Sequence, residues 1–265
     1  MRTWCIANQK GGVGKTTSTL AIGACLAERG FRTLMVDLDP HASLSRWLEV
    51  PEDPPPPGVF ELFADVPPPL VTLAVPSGQP GLDLLPGQPG LATLERQSAT
   101  RQGLGRALVR AFAGQHRYDY ALLDCPPTLG VLMVAALAAA DALIIPTQTE
   151  PLALHGLNAM LRTAEMVQRS RRAPVPARIV PTLFDKRTRA AVDSLGELRN
   201  RHGEAVWDEE IPVDTRLREA SRQALTPSSL GASARGASAY MRLTDWLVTA
   251  DLKAAAEAPT RGSTP

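Results

Sequence analysis

Aromatic residues and cysteines are scarce in this sequence, and its net charge is close to zero. Phe, Trp and Tyr make up 5% of 265 residues, so aliphatic side chains must fill the core. The three cysteines, Cys5, Cys25 and Cys125, each lie in an apolar stretch. This placement excludes a disulfide framework and favours reduced, buried thiols of a cytoplasmic protein. The net charge of +1 argues against wholesale attraction to nucleic acid.

Long apolar runs are also missing, which excludes a membrane-spanning helix. The run Leu132–Ala140 is far too short to cross a bilayer. We expect no signal peptide, because polar residues interrupt the first apolar stretch after Ala7. Large apolar residues are absent after Leu252, so we expect no amphipathic membrane anchor there. The segment 253–265 is predicted to be a disordered tail.

Apolar runs of strand length alternate with helical stretches along most of the chain. The predicted strands are Thr3–Ala7, Thr33–Val36, Leu82–Leu85, Tyr120–Leu123, Ala142–Ile145, Ala177–Val180 and one near Ala205–Ile211. The predicted helices are Lys15–Arg29, Leu91–Gln97, Gly103–Gly114, Gly130–Ala139, Leu152–Arg169, Arg187–Arg201, Asp214–Gln223 and Ala237–Leu252. This alternation predicts an α/β fold, a mostly parallel twisted sheet with helices on both faces, in a single domain over residues 1–252. The proline-rich stretch Pro51–Gly58 is placed on the surface, and Pro67–Gly90 is predicted to hold short edge strands.

A glycine-rich loop joins the first predicted strand to the first predicted helix. Glycines let the backbone turn tightly and aim N–H groups at phosphate oxygens, and the helix N-terminus adds its positive dipole end. Lys15 is placed to reach the β- and γ-phosphates of a nucleotide, and the Thr16 hydroxyl to coordinate Mg²⁺. The loop therefore predicts a P-loop NTPase. Its ligand-contacting residues are Gly11, Gly12, Val13, Gly14, Lys15, Thr16 and Thr17.

The start of this loop departs from the usual P-loop pattern. Gln9 stands where the pattern has its first glycine, and Lys10 adds a second lysine. This variant resembles the deviant Walker A motif of the ParA/MinD family of ATPases, and the resemblance extends over residues 2–250. It implies slow, partner-stimulated hydrolysis of ATP with Mg²⁺ and a homodimer that forms on ATP binding. In that dimer, the resemblance implies that Lys10 crosses the interface to the partner's phosphates.

Carboxylates end two of the later predicted strands. Asp37 and Asp39 follow Val36, and Asp124 follows Leu123. Carboxylates at the C-terminal ends of parallel strands face the nucleotide crevice of such a sheet. The family resemblance implies that Asp39 orients the attacking water, that Asp124 holds Mg²⁺ through water and that Asp37 supports the Mg²⁺ shell or the loop. The predicted catalytic residues are therefore Lys10, Lys15 and Asp39, and the predicted metal residues are Thr16, Asp37 and Asp124.

Two proline-containing loops are assigned to the base end of the nucleotide site. Pro181 follows the predicted strand Ala177–Val180, and Pro212-Val213 leads into a predicted helix. The second loop resembles the late proline loop of the family, whose backbone lines the adenine. Pro181, Pro212 and Val213 are therefore predicted to contact the base. One departure from the family is His41, which stands where glutamine is usual, so the role of that glutamine is not assigned to this position.

Other parts of the sequence indicate what cargo such a switch moves. Three stretches resemble the ParC branch of the family, which places chemotaxis arrays at cell poles. They are Leu91–Ser98, Gly130–Val134 and Pro181–Asp185 with the Lys186-Arg187-Thr188 that follows. This resemblance implies polar localisation, a protein adaptor on the cargo and a polar anchor protein.

The alternative is a chromosome- or plasmid-partitioning ATPase that binds DNA non-specifically at the nucleoid. Three basic clusters are compatible with it, and solvated basic faces are the competing interpretation. They are Arg169 with Arg171 and Arg172, Lys186 with Arg187 and Arg189, and Arg216 with Arg218 and Arg222. Ser233 stands where chromosome-partitioning relatives commonly carry an arginine, and Gly203 stands at another such position. These departures favour a protein-anchored role.

Two enzyme classes share the phosphate loop and serve as rival interpretations. An iron–sulfur reductase of the nitrogenase type needs paired cysteines at a dimer axis, whereas Cys125 directly follows Asp124 and the other two cysteines lie in apolar segments. A cobyrinate-type amide synthase needs an added glutaminase domain, for which we expect no room in this chain. Both interpretations are less favoured than the ATPase switch.

Overall fold

A computed structural model describes residues 1–98, 101–169, 175–231 and 233–257. The strands are β1 (Arg2–Ile6), β2 (Thr33–Asp37), β3 (Val75–Pro76), β4 (Leu82–Leu85), β5 (Tyr120–Asp124), β6 (Ala142–Gln148) and β7 (Ala177–Thr182). The helices are α1 (Lys15–Glu28), α2 (Ser43–Trp47), α3 (Leu70–Leu73), α4 (Leu91–Gln97), α5 (Ala107–Phe112), α6 (Val131–Ala139), α7 (Pro151–Gln168), α8 (Arg189–His202), α9 (Thr215–Arg222) and α10 (Arg235–Glu257). Among the basic residues discussed above, Arg171 and Arg172 lie outside the described residues.

The strands form one sheet in the order β3-β4-β2-β5-β1-β6-β7. Every pairing is parallel except that of the short edge strand β3 with β4. The predicted α/β fold, a mostly parallel sheet with helices on both faces, is confirmed. The C-terminal ends of the parallel strands lie along one edge of the sheet. The loops that carry the predicted site residues follow those ends.

Alternating side chains of the central strand β1 pack into different layers of the core. Cys5 belongs to the layer that contains α5, α6 and α7, whereas Trp4 and Ile6 belong to the layer formed with α1 and α10. This alternation follows from the two-residue period of a strand. Because both faces are covered, the central strands are mostly apolar, which explains why their sequences show no regular alternation of polar and apolar residues.

Two predicted elements differ from the structure. The strand predicted near Ala205–Ile211 does not join the sheet; Gly203–Ala205 forms a 3₁₀ turn, and Val206 makes a single parallel bridge to Ile179. Gly203 has φ +51°, so the chain turns sharply just before the predicted strand. The helix predicted over Gly103–Gly114 begins as a 3₁₀ turn and becomes α-helical only from Ala107 to Phe112.

The last helix is longer than predicted, and the proline-rich segment lies on the surface as expected. α10 runs on past Leu252 to Glu257, and residues 258–265 of the predicted tail lie outside the described residues. The stretch Pro51–Gly58 has no helix or strand and is mostly exposed. In the part of the chain that the structure describes, no helix is both long and apolar enough to span a bilayer.

Candidate functional site

The glycine-rich loop curls between the end of β1 and the start of α1. Gly12 and Gly14 have φ values of +73° and +93°, a region that side chains other than glycine rarely adopt. The Asn8 side chain braces the start of the loop, because its Oδ1 accepts from the Lys10 N–H at 3.0 Å and its Nδ2 donates to the Pro146 carbonyl at 2.8 Å. The Thr182 hydroxyl holds the middle of the loop through the Val13 carbonyl at 2.8 Å. The loop is thus held open above a helix N-terminus, as an anion site requires.

Lys15 lies inside the loop, with its side chain almost fully buried. Its Nζ donates to the carbonyl of Lys10 at 3.1 Å. Burial lowers the pKa of this ammonium group, and the nearby carboxylates of Asp124 and Asp39 oppose that effect. A buried cation with one carbonyl partner is under-compensated, so the loop favours an anionic ligand at this point.

Thr16 and Asp124 meet directly beneath the loop. The Thr16 hydroxyl donates to Asp124 Oδ2 at 2.7 Å, and the Thr19 hydroxyl donates to Oδ1 at 3.3 Å. Burial, with a further contribution from the Asp37 carboxylate, raises the pKa of Asp124 to about 8. A buried carboxylate beside a hydroxyl supplies the hard oxygen ligands that Mg²⁺ prefers. These residues therefore fit the predicted metal ion.

Asp37 lies at the end of β2 with its hydrogen bonds inside its own loop. Its Oδ2 accepts from the backbone N–H and the hydroxyl of Ser45, at 2.9 and 2.7 Å, and its Oδ1 accepts from the Asp39 N–H at 3.2 Å. Burial raises its pKa to about 6, and these hydrogen bonds oppose the rise. The carboxylate therefore joins the end of β2 to the start of α2.

Asp39 lies two residues further on and is partly exposed. Its Oδ1 accepts from the His41 N–H at 2.9 Å, which forms a tight turn, and the residue after His41, Ala42, has φ +51°. The Asp39 carboxylate acts on Lys15 through space. Asp39 thus lies close enough to the phosphate loop for its charge to act on the Lys15 ammonium group.

Lys10 is folded back onto its own chain. Its Nζ donates to Gln148 Oε1 at 2.9 Å and to Glu150 Oε2 at 3.2 Å. About a third of the side chain is exposed (31%), and that of Glu150 is half exposed (52%). The Lys10 side chain therefore points away from the cluster of Lys15, Thr16 and Asp124, although the Lys10 carbonyl accepts from Lys15.

A cavity of about 220 Å³, here called the base cavity, opens beside the loop at the end that the sequence analysis assigned to the base of a nucleotide. Its lining combines the phosphate loop with α9, α10 and the late proline loop. The lining residues are Gly12, Val13, Gly14, Thr17, Trp47, Thr182, Leu183, Ile211, Pro212, Val213, Asp214, Leu217, Arg218, Ser221 and Tyr240. The predicted positions Pro212 and Val213 are in this lining.

Pro181 is absent from this lining, so its contact with the base stays a prediction. It is buried within β7, opposite Thr147 of β6, and its carbonyl accepts from the Ile211 N–H at 2.8 Å. The residues of that strand end that do line the cavity are Thr182 and Leu183. The strand continues further than its apolar run indicates, and this shift moves the lining position.

Sequence reasoning missed several lining residues, of which Trp47 and Tyr240 are the largest. Tyr240 comes from α10, where its hydroxyl lies 2.9 Å from that of Ser18, and burial raises its pKa to about 12. Trp47 comes from α2, a short helix that was not predicted. Neither residue belongs to a local motif, so only the fold brings them to the cavity.

A buried cation in a glycine-rich loop, a carboxylate–hydroxyl pair beneath it and an adjoining base-sized cavity define a P-loop nucleotide-binding protein. A family model described as an AAA domain matches residues 1–175. The chromosome partitioning protein ParA of Caulobacter vibrioides is 34% identical over 92% of both chains. The sporulation initiation inhibitor protein Soj of Bacillus subtilis is 33% identical over 90% of this chain and 94% of its own. The chain belongs to the ParA/MinD family.

Solved structures agree with this assignment. The structure described as cobyrinic acid a,c-diamide synthase from Mycobacterium smegmatis has a TM-score of 0.78 and 36% identity, covers 94% of each chain, and holds ADP and magnesium. The structure of apo McdA from Cyanothece, at 20% identity and a TM-score of 0.81, covers 92% of this chain and 99% of its own, and it shows the fold alone.

Proposed function

We propose that this protein is a partitioning ATPase, a switch that dimerises with ATP and is reset by hydrolysis. The observation that carries the proposal is the Thr16–Asp124 hydrogen bond of 2.7 Å beneath a loop that encloses Lys15. Relatives that span nearly the whole chain are named as chromosome-partitioning proteins, which supports the same function.

ATP and Mg²⁺ are the proposed ligands, and each site residue has a separate task. Lys15 binds the β- and γ-phosphates, while the loop N–H groups hold the remaining phosphate oxygens. Thr16 and Asp124 hold Mg²⁺, which neutralises phosphate charge when bound. Asp37 is bound to Ser45 and Asp39. It stabilises the loop between β2 and α2, called the acidic loop, and does not bind the metal directly. Asp39 orients water for in-line attack.

Dimerisation gives Lys10 its role in this proposal. In the described chain it is paired with Glu150 at 3.2 Å, and it must leave this carboxylate to reach the phosphates of a second subunit. The phosphates of ATP offer a denser negative charge than one half-exposed carboxylate. Hydrolysis is slow because the site is complete only when both subunits contribute, and a partner protein that stabilises this arrangement accelerates it.

Size measurement by light scattering tests the switch. With Mg²⁺ and a non-hydrolysable ATP analogue, the wild type is expected to become a dimer and Lys10→Ala to remain a monomer. Lys253→Ala is the control, because Lys253 is far from the phosphate loop. It lies on α10 just beyond Asp251, and Asp251 binds Arg2 at the end of β1 that is opposite the loop. Equal dimerisation of all three proteins would contradict the proposed role of Lys10.

The first candidate for the cargo is a chromosome or plasmid, held by non-specific DNA binding of the ATP-bound dimer. The names of the relatives support it. Salt-dependent, ATP-dependent retardation of random-sequence DNA is the expected result. DNA binding that is equal with and without ATP would contradict this candidate.

The second candidate is a chemotaxis array at the cell pole, positioned through a protein adaptor and a polar anchor. Two arginines are already paired within the chain: Arg187 with Asp185, at 2.6 Å, and Arg242 with Glu209, at 2.7 Å. The carboxylate beside each arginine offsets its charge toward a DNA backbone, and this lower local positive charge supports a protein cargo. A fluorescent fusion is then expected at poles that hold chemoreceptor arrays, whereas diffuse nucleoid staining in cells with and without arrays would favour DNA.

The cysteines argue against the rival enzyme classes. Cys5 Sγ and Cys125 Sγ lie 3.4 Å apart in the core, and all three thiols are buried. Burial raises the pKa of Cys25 and of Cys125, so neither is an activated thiolate. Within the described residues no three or more side chains of His, Cys, Asp or Glu come together as a metal site, so the cysteines belong to no such cluster. We therefore expect neither an iron–sulfur cluster nor a glutaminase nucleophile, and native protein is expected to be unreactive toward a thiol reagent until it is unfolded.

A further inference from the structure

Trp47 closes one side of the base cavity and is the largest side chain in its lining. It is the last residue of α2 and is partly buried against Leu20, Met35 and other residues of that layer. Its ring also lines the cavity that Gly12–Gly14 and α9 share. The indole therefore belongs both to the core and to the wall of the site.

Two anchors determine where the indole lies. On one side, Ser45 binds the buried Asp37 carboxylate through both its N–H and its hydroxyl, at 2.9 and 2.7 Å, so α2 is tied to the end of β2. On the other side, the Trp47 indole N–H donates to the Leu225 carbonyl at 3.0 Å, 178 residues further along the chain. The ring therefore bridges from the acidic loop to the segment that follows α9.

The segment that accepts this hydrogen bond is joined to the cavity wall. Leu225 N–H donates to the Ala220 carbonyl of α9, and Ala224 between them has φ +52°. α9 contributes Leu217, Arg218 and Ser221 to the lining. The Trp47–Leu225 hydrogen bond thus joins α2 to the segment that follows α9.

We propose that Trp47 is a positioning residue of the nucleotide site. Its indole packs against the bound adenine nucleotide, and the hydrogen bond to Leu225 holds the ring in this position. This inference rests on the proposed function, because it requires an adenine nucleotide in the cavity. Aromatic side chains supply large, rigid apolar contact area and pack well against a flat base. This contact slows release of the nucleotide, because the Trp47 hydrogen bond to Leu225 must break and the ring must move before the base can leave past α2.

The competing interpretation is that Trp47 only fills the core beside α1 and β2. Substitution would then lower the stability of the fold without changing nucleotide release once the protein is folded. Trp246 offers a matched comparison. It is a partly buried tryptophan on α10 that lies over Arg178, with the guanidinium carbon 5.8 Å from the ring centroid, and it is absent from the cavity lining.

Stopped-flow release of ADP that carries a fluorescent group on the ribose tests the proposal. Trp47→Ala is expected to release the nucleotide roughly tenfold faster than the wild type, as befits the loss of one base–aromatic contact. Trp47→Phe keeps a ring but loses the indole N–H, and its release rate is expected to lie between the two. Trp246→Ala is expected to release at the wild-type rate. Equal release rates for Trp47→Ala and Trp246→Ala would overturn the proposal.

Intrinsic fluorescence gives a second readout that does not need the alanine variant to fold. Unlabelled ADP with Mg²⁺ is expected to change the tryptophan emission of the wild type and of Trp246→Phe, but not of Trp47→Phe. An undiminished change in Trp47→Phe would also overturn the proposal.

Calorimetric titration of the wild type separates the two levels of inference. If the wild type does not bind ADP with Mg²⁺, the proposed function fails. If it binds while the Trp47 variants release and fluoresce like the Trp246 variants, only the role of Trp47 fails.

Discussion

The Thr16 hydroxyl donates a hydrogen bond of 2.7 Å to Oδ2 of the buried Asp124. This contact joins the first helix to the end of the β5 strand, across 108 residues of sequence. It brings a neutral donor to a carboxylate whose pKa is raised by burial to about 8, while the pKa of neighbouring Asp37 is raised to about 6. The protein thus holds two buried carboxyl groups that resist ionisation.

The first prediction concerns the pH dependence of stability. Folded-state pKa values of about 6 and about 8 lie above the usual value of about 4 for an unfolded aspartate. The stabilising contribution of these groups is fully present below that unfolded value and is lost as the pH rises through the folded values. The ligand-free protein is therefore expected to melt at progressively lower temperatures from about pH 5 to about pH 8.5.

Thermal melts of Asp124→Asn test this assignment. The variant is expected to lose the upper part of the pH-dependent decline, because its amide does not ionise. Asp65→Asn is the control, since the Asp65 side chain is 97% exposed, and it should follow the wild-type curve. A decline in Asp124→Asn as steep as in the wild type would remove Asp124 as the cause.

The second prediction separates binding from hydrolysis at Asp39. Asp39→Ala leaves Lys15, Thr16 and Asp124 in place and loses only the carboxylate that is partly exposed on the loop. We expect it to bind ATP with Mg²⁺ and to remain dimeric, while hydrolysis falls by roughly 10²-fold. Phosphate release and light scattering on the same sample check both parts. Hydrolysis at the wild-type rate would exclude a catalytic role for Asp39.

The third prediction concerns the pair of Lys10 and Glu150. Glu150→Gln removes the charge that holds Lys10 within its own chain, while Gln148 continues to accept from its Nζ at 2.9 Å. A partly exposed ion pair is worth little, so we expect half-maximal dimerisation at a roughly two- to fivefold lower ATP concentration. Glu197→Gln is a matched control, because Glu197 forms a similarly exposed pair with Arg201 on α8. A higher ATP requirement in Glu150→Gln would show that Glu150 helps the dimer instead.

The fourth prediction concerns the packing of Glu95 against Gly130. Glu95 accepts hydrogen bonds from the Val131 and Leu132 N–H groups at 2.8 and 3.2 Å, and so caps α6. A Cβ added at Gly130 would overlap the Glu95 carboxylate. Gly130→Ala is therefore expected to displace the Glu95 carboxylate from the N-terminus of α6 and to lower the free energy of unfolding by about 1 kcal/mol, the usual cost of losing a cap.

A double-mutant cycle identifies the cause of this loss. Glu95→Ala alone leaves two helix N–H donors without their acceptor, but it also vacates the space that a Cβ at position 130 would need. The two substitutions together are expected to cost less than the sum of the single ones. Additive losses, measured by chemical denaturation, would mean that Glu95 does not cause the clash.

Much of the fold was predictable because its signals are local. The strands are short apolar runs between polar turns, and the elements Leu82–Leu85 and Leu91–Gln97 were predicted with the bounds that the structure has. The prediction of a strand near Ala205–Ile211 was wrong, because this segment runs beside β7 with isolated contacts, such as the bridge at Val206 and the Ile211 N–H bond to the Pro181 carbonyl, and forms no continuous ladder. Short elements such as α2 carry too few residues for a periodic pattern, and no sequence signal indicated them.

The sequence by itself determined the phosphate loop and the acidic strand ends, because their signals are local. Gly12 and Gly14 allow the turn by their own residue type, and Lys15 contacts a carbonyl of the same loop. Only the tertiary structure decided what surrounds them: that Lys10 is held by Glu150, that Thr182 replaces Pro181 in the cavity and that Trp47 reaches Leu225. These contacts join segments that are far apart in sequence. They depend on how strands are ordered and how helices pack, which no local pattern specifies.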